Sequence, residues 1–311
     1  MVSVGIVGAS GYTGVELLRL IAQHPDLELV CATGDSQAGG VAAELYPSLA
    51  VAYPDLVFER FDEDRVAGLD LVFLGLPHEA SLALAPSLHG KVGCLVDLSA
   101  AFRLKDASLY PGWYGFAHDQ PELLADAVYG LPELYRSDLK GARLIATPGC
   151  YVTPAGAGRG LKHSSLFATV DEDFTAYGLL DHRHTPEIEQ VTGAQVLFTP
   201  HLAPMSRGIL ATCYARPAQA VTTDDLLAAL SGCYAGEPFV AVRRAAPSTK
   251  ATLGTNAVHL TARYDDRTGT VLVLCAIDNL TKGASGGALQ SANVALGLDE
   301  TAGLTSVGLL P

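Results

Sequence analysis

Apolar residues fall in two rhythms along the 311-residue chain. Up to about residue 150 they come mostly as short continuous runs, the pattern of strands buried on both faces of a parallel sheet. The first run covers residues 2–7. The glycine-broken "GASGYTG" follows, and Val15, Leu17, Leu18, Leu20 and Ile21 continue at helical spacing. His24-Pro25-Asp26 ends that helix, and "LELVCAT" reads as a second strand, completing a β-α-β unit of about 30 residues. Runs at 70–76, 92–98 and 142–147 predict further strands, and residues 79–88 predict a helix.

Beyond residue 150 apolar and polar positions alternate. Strands are expected at 196–199 ("VLFT"), 208–215, 238–242, 256–264 and 270–278, with an amphipathic helix at 223–230. Alternation of this kind marks an antiparallel sheet with one open face. A last helix, at 283–296, is placed to return to the first unit. The expected fold class is α/β: a Rossmann-type doubly wound parallel sheet followed by an α+β domain with a mainly antiparallel sheet. A dinucleotide-binding domain at 1–149, joined by the C-terminal helix at about 280–311, and a catalytic domain at 150–279 fit the length.

Composition narrows the function more than the fold. Nearly half the residues are apolar, 17% are charged and no low-complexity tract is present, as in a folded chain. The net charge of -13, without a Lys/Arg run, argues against nucleic acid as a partner. No apolar run reaches membrane-spanning length, so no membrane partner is expected. The first residues carry no signal-peptide pattern, and the six cysteines form no C-x-x-C pair, which points to a reducing, cytoplasmic setting. Five of them read as small buried hydrophobes. Cys150, behind a Pro-Gly turn at the expected domain junction, is a candidate nucleophile.

Gly8, Gly11 and Gly14 form G-x-x-G-x-x-G between the first strand and first helix, with Ser10, Tyr12 and Thr13 completing the loop. Glycines there allow a dinucleotide to approach the backbone, and the helix N-terminus favours its pyrophosphate. Asp35 stands where an acid would hold the ribose 2′-hydroxyl of NAD, while Thr33 and Ser36 beside it could bind the 2′-phosphate of NADP. Spacing leaves both cofactors open. Leu76, Pro77 and His78 end a strand on the cofactor side and are expected to pack the dinucleotide. No Tyr is followed four residues later by Lys, which removes the short-chain dehydrogenase relay. Ser285, in G-x-S-x-G, has no later His to serve a hydrolase, since the last is His259.

Residues 182–189, "HRHTPEIE", gather two histidines, an arginine and two carboxylates. Metal binding and a solvated loop are the alternatives to proton transfer beside Cys150, the favoured reading, because a reaction generating an alkoxide needs an acid titrating near neutrality. Arg103 and Arg207 each flank an apolar stretch, as an anion-binding arginine or an ion-pair partner would.

"GASGYTG", "GLPHEAS", "DLSAAFRL", "YGLPEL", "PGCY", "HRHTPEIEQ", "FTPHLAPMSRGI" and "AIDNLTKGASG" occur in this order nearly end to end, and together resemble the N-acetyl-gamma-glutamyl-phosphate reductase family. The resemblance implies NADPH-dependent reduction of a small acyl phosphate to an aldehyde, in arginine biosynthesis, by a homo-oligomer (dimer or tetramer) whose second domain also carries oligomerisation. It implies a thioester at Cys150, with His184 or His182 as proton donor, and it favours NADP over NAD. Cofactor contacts are then expected at Gly8, Ser10, Gly11, Tyr12, Thr13, Gly14, Thr33, Ser36, Leu76, Pro77, His78, Ser99 and Asn279. Substrate contacts are expected at Arg103, Arg183, Glu187 and Arg207, and no metal.

One departure stands out. In the family the cysteine opens a helix, and a strand follows before a Ser-Gly-Ala-Gly-Arg-like turn. Here Gly156-Ala157-Gly158-Arg159 comes almost at once, so an element pair on the order of 25 residues is missing. An internal deletion, numbering that runs on across an omitted loop, or a substitute partner would each account for it. Losing the helix N-terminus costs a thiolate roughly 0.3 to 2 kcal/mol, which a protonated histidine could offset. Two further functions therefore stay open: a catalytically impaired NADP-binding homologue, and an aspartate-semialdehyde dehydrogenase-like enzyme.

Overall fold

The computed structural model describes residues 1–150 and 167–310. The stretch "YVTPAGAGRG", on which the expected omission falls, lies outside the described residues. Six strands, β1 (Val2–Val7), β2 (Leu27–Thr33), β3 (Leu71–Leu74), β4 (Cys94–Asp97), β5 (Val128–Tyr129) and β6 (Leu144–Ala146), form the first sheet. They pair in the order β2-β1-β3-β4-β6-β5, parallel throughout. Every residue of β3, β4 and β6 is buried, which is why these strands read as unbroken apolar runs. Edge strand β2 leaves Glu28 and Val30 exposed.

Among the described residues six helices reach eight residues: α1 (Tyr12–Ile21), α2 (His78–Leu88), α3 (Pro132–Leu139), α4 (Thr185–Thr192), α5 (Thr223–Cys233) and α6 (Gly286–Leu296). Helix α1 buries Leu17, Leu18, Leu20 and Ile21 in the core, and Gly14 lets it approach the loop that follows β1. A Cβ at Gly14 would lie 2.5 Å from backbone atoms of Ala9. From β1 the chain passes to β2 on one side, while β3 lies on the other. The loops after β1 and β3 therefore flank the point where the winding reverses, the usual dinucleotide crevice of such sheets.

The second sheet contains β9 (Ile209–Ala215), β10 (Val240–Val242), β11 (Val258–Asp265) and β12 (Thr270–Ile277) in the order β10-β11-β12-β9. Its pairs are antiparallel except β10 with β11, which is parallel. A two-stranded ribbon joins β7 (Thr175–Ala176) to β8 (His201–Leu202). The strand expected at 196–199 does not form. Val196 donates its N–H to Glu189 Oε1 at 2.9 Å instead of to a ladder, and Leu197 points to solvent.

Helix α6 returns to the first sheet, as the apolar pattern of 283–296 predicts, and packs on α1, α3 and β4. It is buried from Gly286 to Ala295 and is entered through a π-turn, Thr281–Ser285. Ser285, fully buried, donates its hydroxyl to the Thr13 carbonyl at 2.8 Å. Below it a charged cluster ties the two sheets together. Arg207 donates to both Glu16 oxygens of α1, at 3.1 and 2.7 Å, and lies 3.5 Å from Asp278.

Candidate active site

Strand β6 delivers the chain to the turn Thr147-Pro148-Gly149-Cys150. The Thr147 N–H donates to the Asp97 carbonyl of β4 at 2.8 Å, and Arg103 Nε donates to the Thr147 carbonyl at 2.7 Å. Gly149 donates its N–H to Glu187 Oε1 at 2.7 Å, and the same oxygen accepts the Tyr129 hydroxyl at 2.5 Å. Glu187 lies in the first turn of α4, where the helix dipole favours a carboxylate.

Glycine at 149 is a steric requirement. An added Cβ would come within 2.4 Å of His184 Nε2 and 2.7 Å of an Arg103 nitrogen. His184 and Arg103 thus press on the residue that precedes Cys150. From the far side, a Cβ at Gly283 would lie 2.8 Å from the Cys150 Cβ, so bare backbone faces the cysteine there as well.

Electrostatics around the turn are uneven. Burial pushes the thiol of half-buried Cys150 up from its usual pKa, against the pull of the Arg103 guanidinium and a backbone hydrogen bond. Burial, followed by Arg103, His182 and His78, holds His184 well below the usual imidazole range, so its ring is neutral at neutral pH. The His184 N–H donates to His182 Nδ1 at 3.1 Å, which leaves the proton of a neutral His182 on Nε2. The two rings stand 4.8 Å apart. Burial lowers His182 as well.

The arginines named from sequence have different surroundings. Arg103 is buried, with Nε on the Thr147 carbonyl, Nη2 on the Leu98 carbonyl at 3.0 Å and Nη1 3.7 Å from Glu187. Arg207 is engaged by Glu16 and Asp278. Arg183 is exposed, and its Nη1 lies 3.2 Å from His78 Nε2.

The residues named for the dinucleotide also divide. Gly8 has φ +92, and a Cβ there would meet the Gly75 carbonyl oxygen at 2.4 Å. Gly11 caps α1 without a side-chain hydrogen bond and no acidic residue occupies the helix's first turn, so its free N–H groups, beside Ser10, Tyr12 and Thr13, suit a pyrophosphate. Leu76 and Pro77 lead into α2 from the neighbouring loop, with His78 as its first residue. Exposed Asp35 and Ser36 sit in a 3-10 turn after β2, at the place for a ribose or its phosphate. Three others are committed inside the protein. Thr33 Oγ1 accepts the Gly8 N–H at 3.3 Å, and Asn279 Oδ1 accepts the Gly208 N–H at 2.7 Å. Ser99 donates to Asp97 at 2.7 Å and accepts from the Ala101 N–H.

Sequence reasoning missed Tyr129, Asp97 and Gly283. Tyr129 opens "YGLPEL" and Gly283 opens a glycine-rich run, but neither spacing reveals the partner across the fold. Among the described residues no group of three His, Cys, Asp or Glu side chains could hold a metal ion. No described helix is long and apolar enough to cross a membrane.

A dinucleotide crevice joined to a Cys-His turn defines the class. The model of the semialdehyde dehydrogenase NAD binding domain matches residues 3–142, and that of the semialdehyde dehydrogenase dimerisation domain matches residues 141–279. The chain belongs to the N-acetyl-gamma-glutamyl-phosphate reductase family. It is 45% identical to the protein of that name from Symbiobacterium thermophilum, over 99% of this chain and 98% of that one. It is likewise 45% identical to that from Desulforudis audaxviator, over the full length of both. These alignments run over 343 and 347 positions against 311 residues, so at least 32 and 36 positions have no counterpart in this chain. Among solved structures it resembles aspartate semialdehyde dehydrogenase II from Vibrio cholerae (TM-score 0.66, 15% identity, 94% of this chain and 98% of that one). The aspartate semialdehyde dehydrogenase from Candida albicans is similar in the same way (TM-score 0.67, 14% identity, again 94% and 98%).

Proposed function

We propose that the chain reduces N-acetyl-gamma-glutamyl phosphate to N-acetylglutamate 5-semialdehyde and phosphate with NADPH, through a thioester on Cys150. The observation that carries this reading is the packing of His184 Nε2 and Arg103 on Gly149, which brings a neutral imidazole and a fixed cation to the residue before the thiol.

Attack by the Cys150 sulfur on the acyl carbon forms the C–S bond. The C–O bond to phosphate breaks, and the electron pair leaves with the phosphate. Neutral His184 takes the thiol proton as the sulfur attacks, and this proton ends on the departing phosphate. Bound NADPH supplies the hydride that reduces the acyl carbon. Collapse of the resulting thiohemiacetal oxyanion frees the aldehyde and returns the C–S electron pair to sulfur, which takes a proton from solvent by way of His184 to restore the thiol. Arg103, held by two backbone carbonyls, keeps positive charge beside the sulfur at every stage.

For the cofactor, Gly8, Gly11 and the first turn of α1 would hold the pyrophosphate, with Ser36 beside the 2′-phosphate. Residues 1–149 with the C-terminal helix would carry the dinucleotide, and residues 150–279 the chemistry and the subunit contacts of a homo-oligomer. A reducing cytoplasm keeps the thiol free.

NADPH oxidation dependent on N-acetyl-gamma-glutamyl phosphate is the test. Activity with aspartyl phosphate in its place would move the enzyme to the sister class. The unmatched positions in the alignments favour one second reading, a homologue that binds NADP with impaired turnover, and saturable cofactor binding without oxidation in the same assay would select it.

A further inference from the structure

Arg183 and His78 meet in a way that the fold alone does not explain. His78 Nδ1 accepts the Ala100 N–H at 3.0 Å, so a neutral ring carries its proton on Nε2. Nε2 lies 3.2 Å from Arg183 Nη1, also a donor. Two N–H donors therefore face one another, with no acceptor from the described residues between them. Tyr114 holds both in place: its ring packs edge-on against the His78 ring at 5.7 Å, and its hydroxyl donates to the Arg183 carbonyl at 3.1 Å. Such a meeting is unfavourable unless an anion bridges the two groups.

The other arginines of the cleft cannot serve in the same way. Arg103 is occupied by the Thr147 and Leu98 carbonyls and faces Glu187, and Arg207 is neutralised by Glu16 and Asp278. Among the described residues Arg183 has no carboxylate within ion-pair distance, and it stands in sequence between His182 and His184. Its planar fork suits a phosphate dianion, and in a chain of net charge -13 such a local excess of donors is unusual.

We propose that His78 and Arg183 form the subsite for the phosphoryl group of the acyl phosphate, and hold the phosphate that leaves when the thioester forms. This rests on the reaction proposed above. Phosphates of the dinucleotide are the other source of the same chemistry, and the test separates the two.

The reaction is run in reverse, from N-acetylglutamate semialdehyde, NADP+ and inorganic phosphate, with wild type and Arg183→Gln. The variant is expected to raise the KM for phosphate by about tenfold or more, the loss of one charge-assisted hydrogen bond, and to leave the KM for NADP+ nearly unchanged. Arg183→Lys, which keeps the charge without the fork, should fall between. An unchanged KM for phosphate overturns the subsite, and a raised KM for NADP+ instead overturns it in favour of the dinucleotide. Alkylation of Cys150 by iodoacetamide gives a readout independent of turnover: inorganic phosphate should slow it in wild type and not in Arg183→Gln. Protection without turnover would keep the subsite and refute the reduction, whereas turnover with an unshifted KM for phosphate would do the reverse.

Discussion

Glu187 accepts the Gly149 N–H at 2.7 Å, so a carboxylate of α4 fixes the turn on which β6 presents Cys150. Tyr129 completes the arrangement from β5 by donating to the same oxygen. Replacing Glu187 with Ala leaves both part-buried donors unanswered. At roughly 1 to 3 kcal/mol for each orphaned group, Glu187→Ala should lose about 3 kcal/mol of stability, with Glu187→Gln losing less. Urea denaturation of the two variants measures this directly, and equal losses would show that the acceptor at 187 is not what holds the turn.

Gly8 is held at φ +92 with its α-carbon against the Gly75 carbonyl. Gly8→Ala must either shift β3's loop or move its own, and either change spoils the surface on which a pyrophosphate would lie. Titration of NADPH fluorescence should show affinity reduced by about tenfold or more, the equivalent of roughly 1.4 kcal/mol. Unaltered affinity would mean that the dinucleotide does not approach this loop.

Arg207 and Arg19 together outweigh the burial of Glu16. Burial alone would raise that carboxyl, yet hydrogen bonds from Arg207 and Arg19 hold its pKa down to about 2. Arg207→Ala leaves Arg19 as the remaining cation on buried Glu16 and should cost about 1 to 3 kcal/mol, with Arg207→Ala/Glu16→Gln recovering part of the loss. Thermal unfolding of the single and double variants provides the comparison.

Acid sensitivity should appear in two windows. Burial, then Arg103 and Arg183, lower the His78 pKa to about 4 against 6.5 for a free imidazole. As pH falls from 6.5 towards 4 the unfolded chain takes up a proton that folded His78 refuses, so stability declines. Glu16, ionised in the fold down to about 2, contributes stability that is complete above 4.5 and lost as pH falls towards 2. His184 and His182, also lowered by burial, add to the upper window, so His78→Asn should make its decline shallower without removing it and leave the lower one in place, as read from unfolding midpoints across pH.

The first sheet was legible, apart from the two-residue strand β5, because its central strands are buried on both faces, and such strands must be written as apolar runs separated by turn residues. Residues 196–199 fitted the alternating pattern of the second domain, but the Val196 N–H goes to the Glu189 side chain, which no periodicity encodes. Strand β10 has three residues, too few for its parallel direction to leave a trace. Within the site, Cys150 and the histidines declared themselves by residue type. Arg103, Arg183 and Arg207 looked alike in sequence. What separates them is the long-range partner: backbone carbonyls for Arg103, Glu16 for Arg207 and His78 for Arg183.

The proposed reaction depends most on Cys150 carrying the acyl group. Steady-state oxidation of NADPH with N-acetyl-gamma-glutamyl phosphate, compared between wild type and Cys150→Ala, tests it most directly. The predicted result is turnover in wild type and a fall of roughly a thousandfold or more in the variant, with NADPH binding retained. Turnover by Cys150→Ala at the wild-type rate would contradict the account.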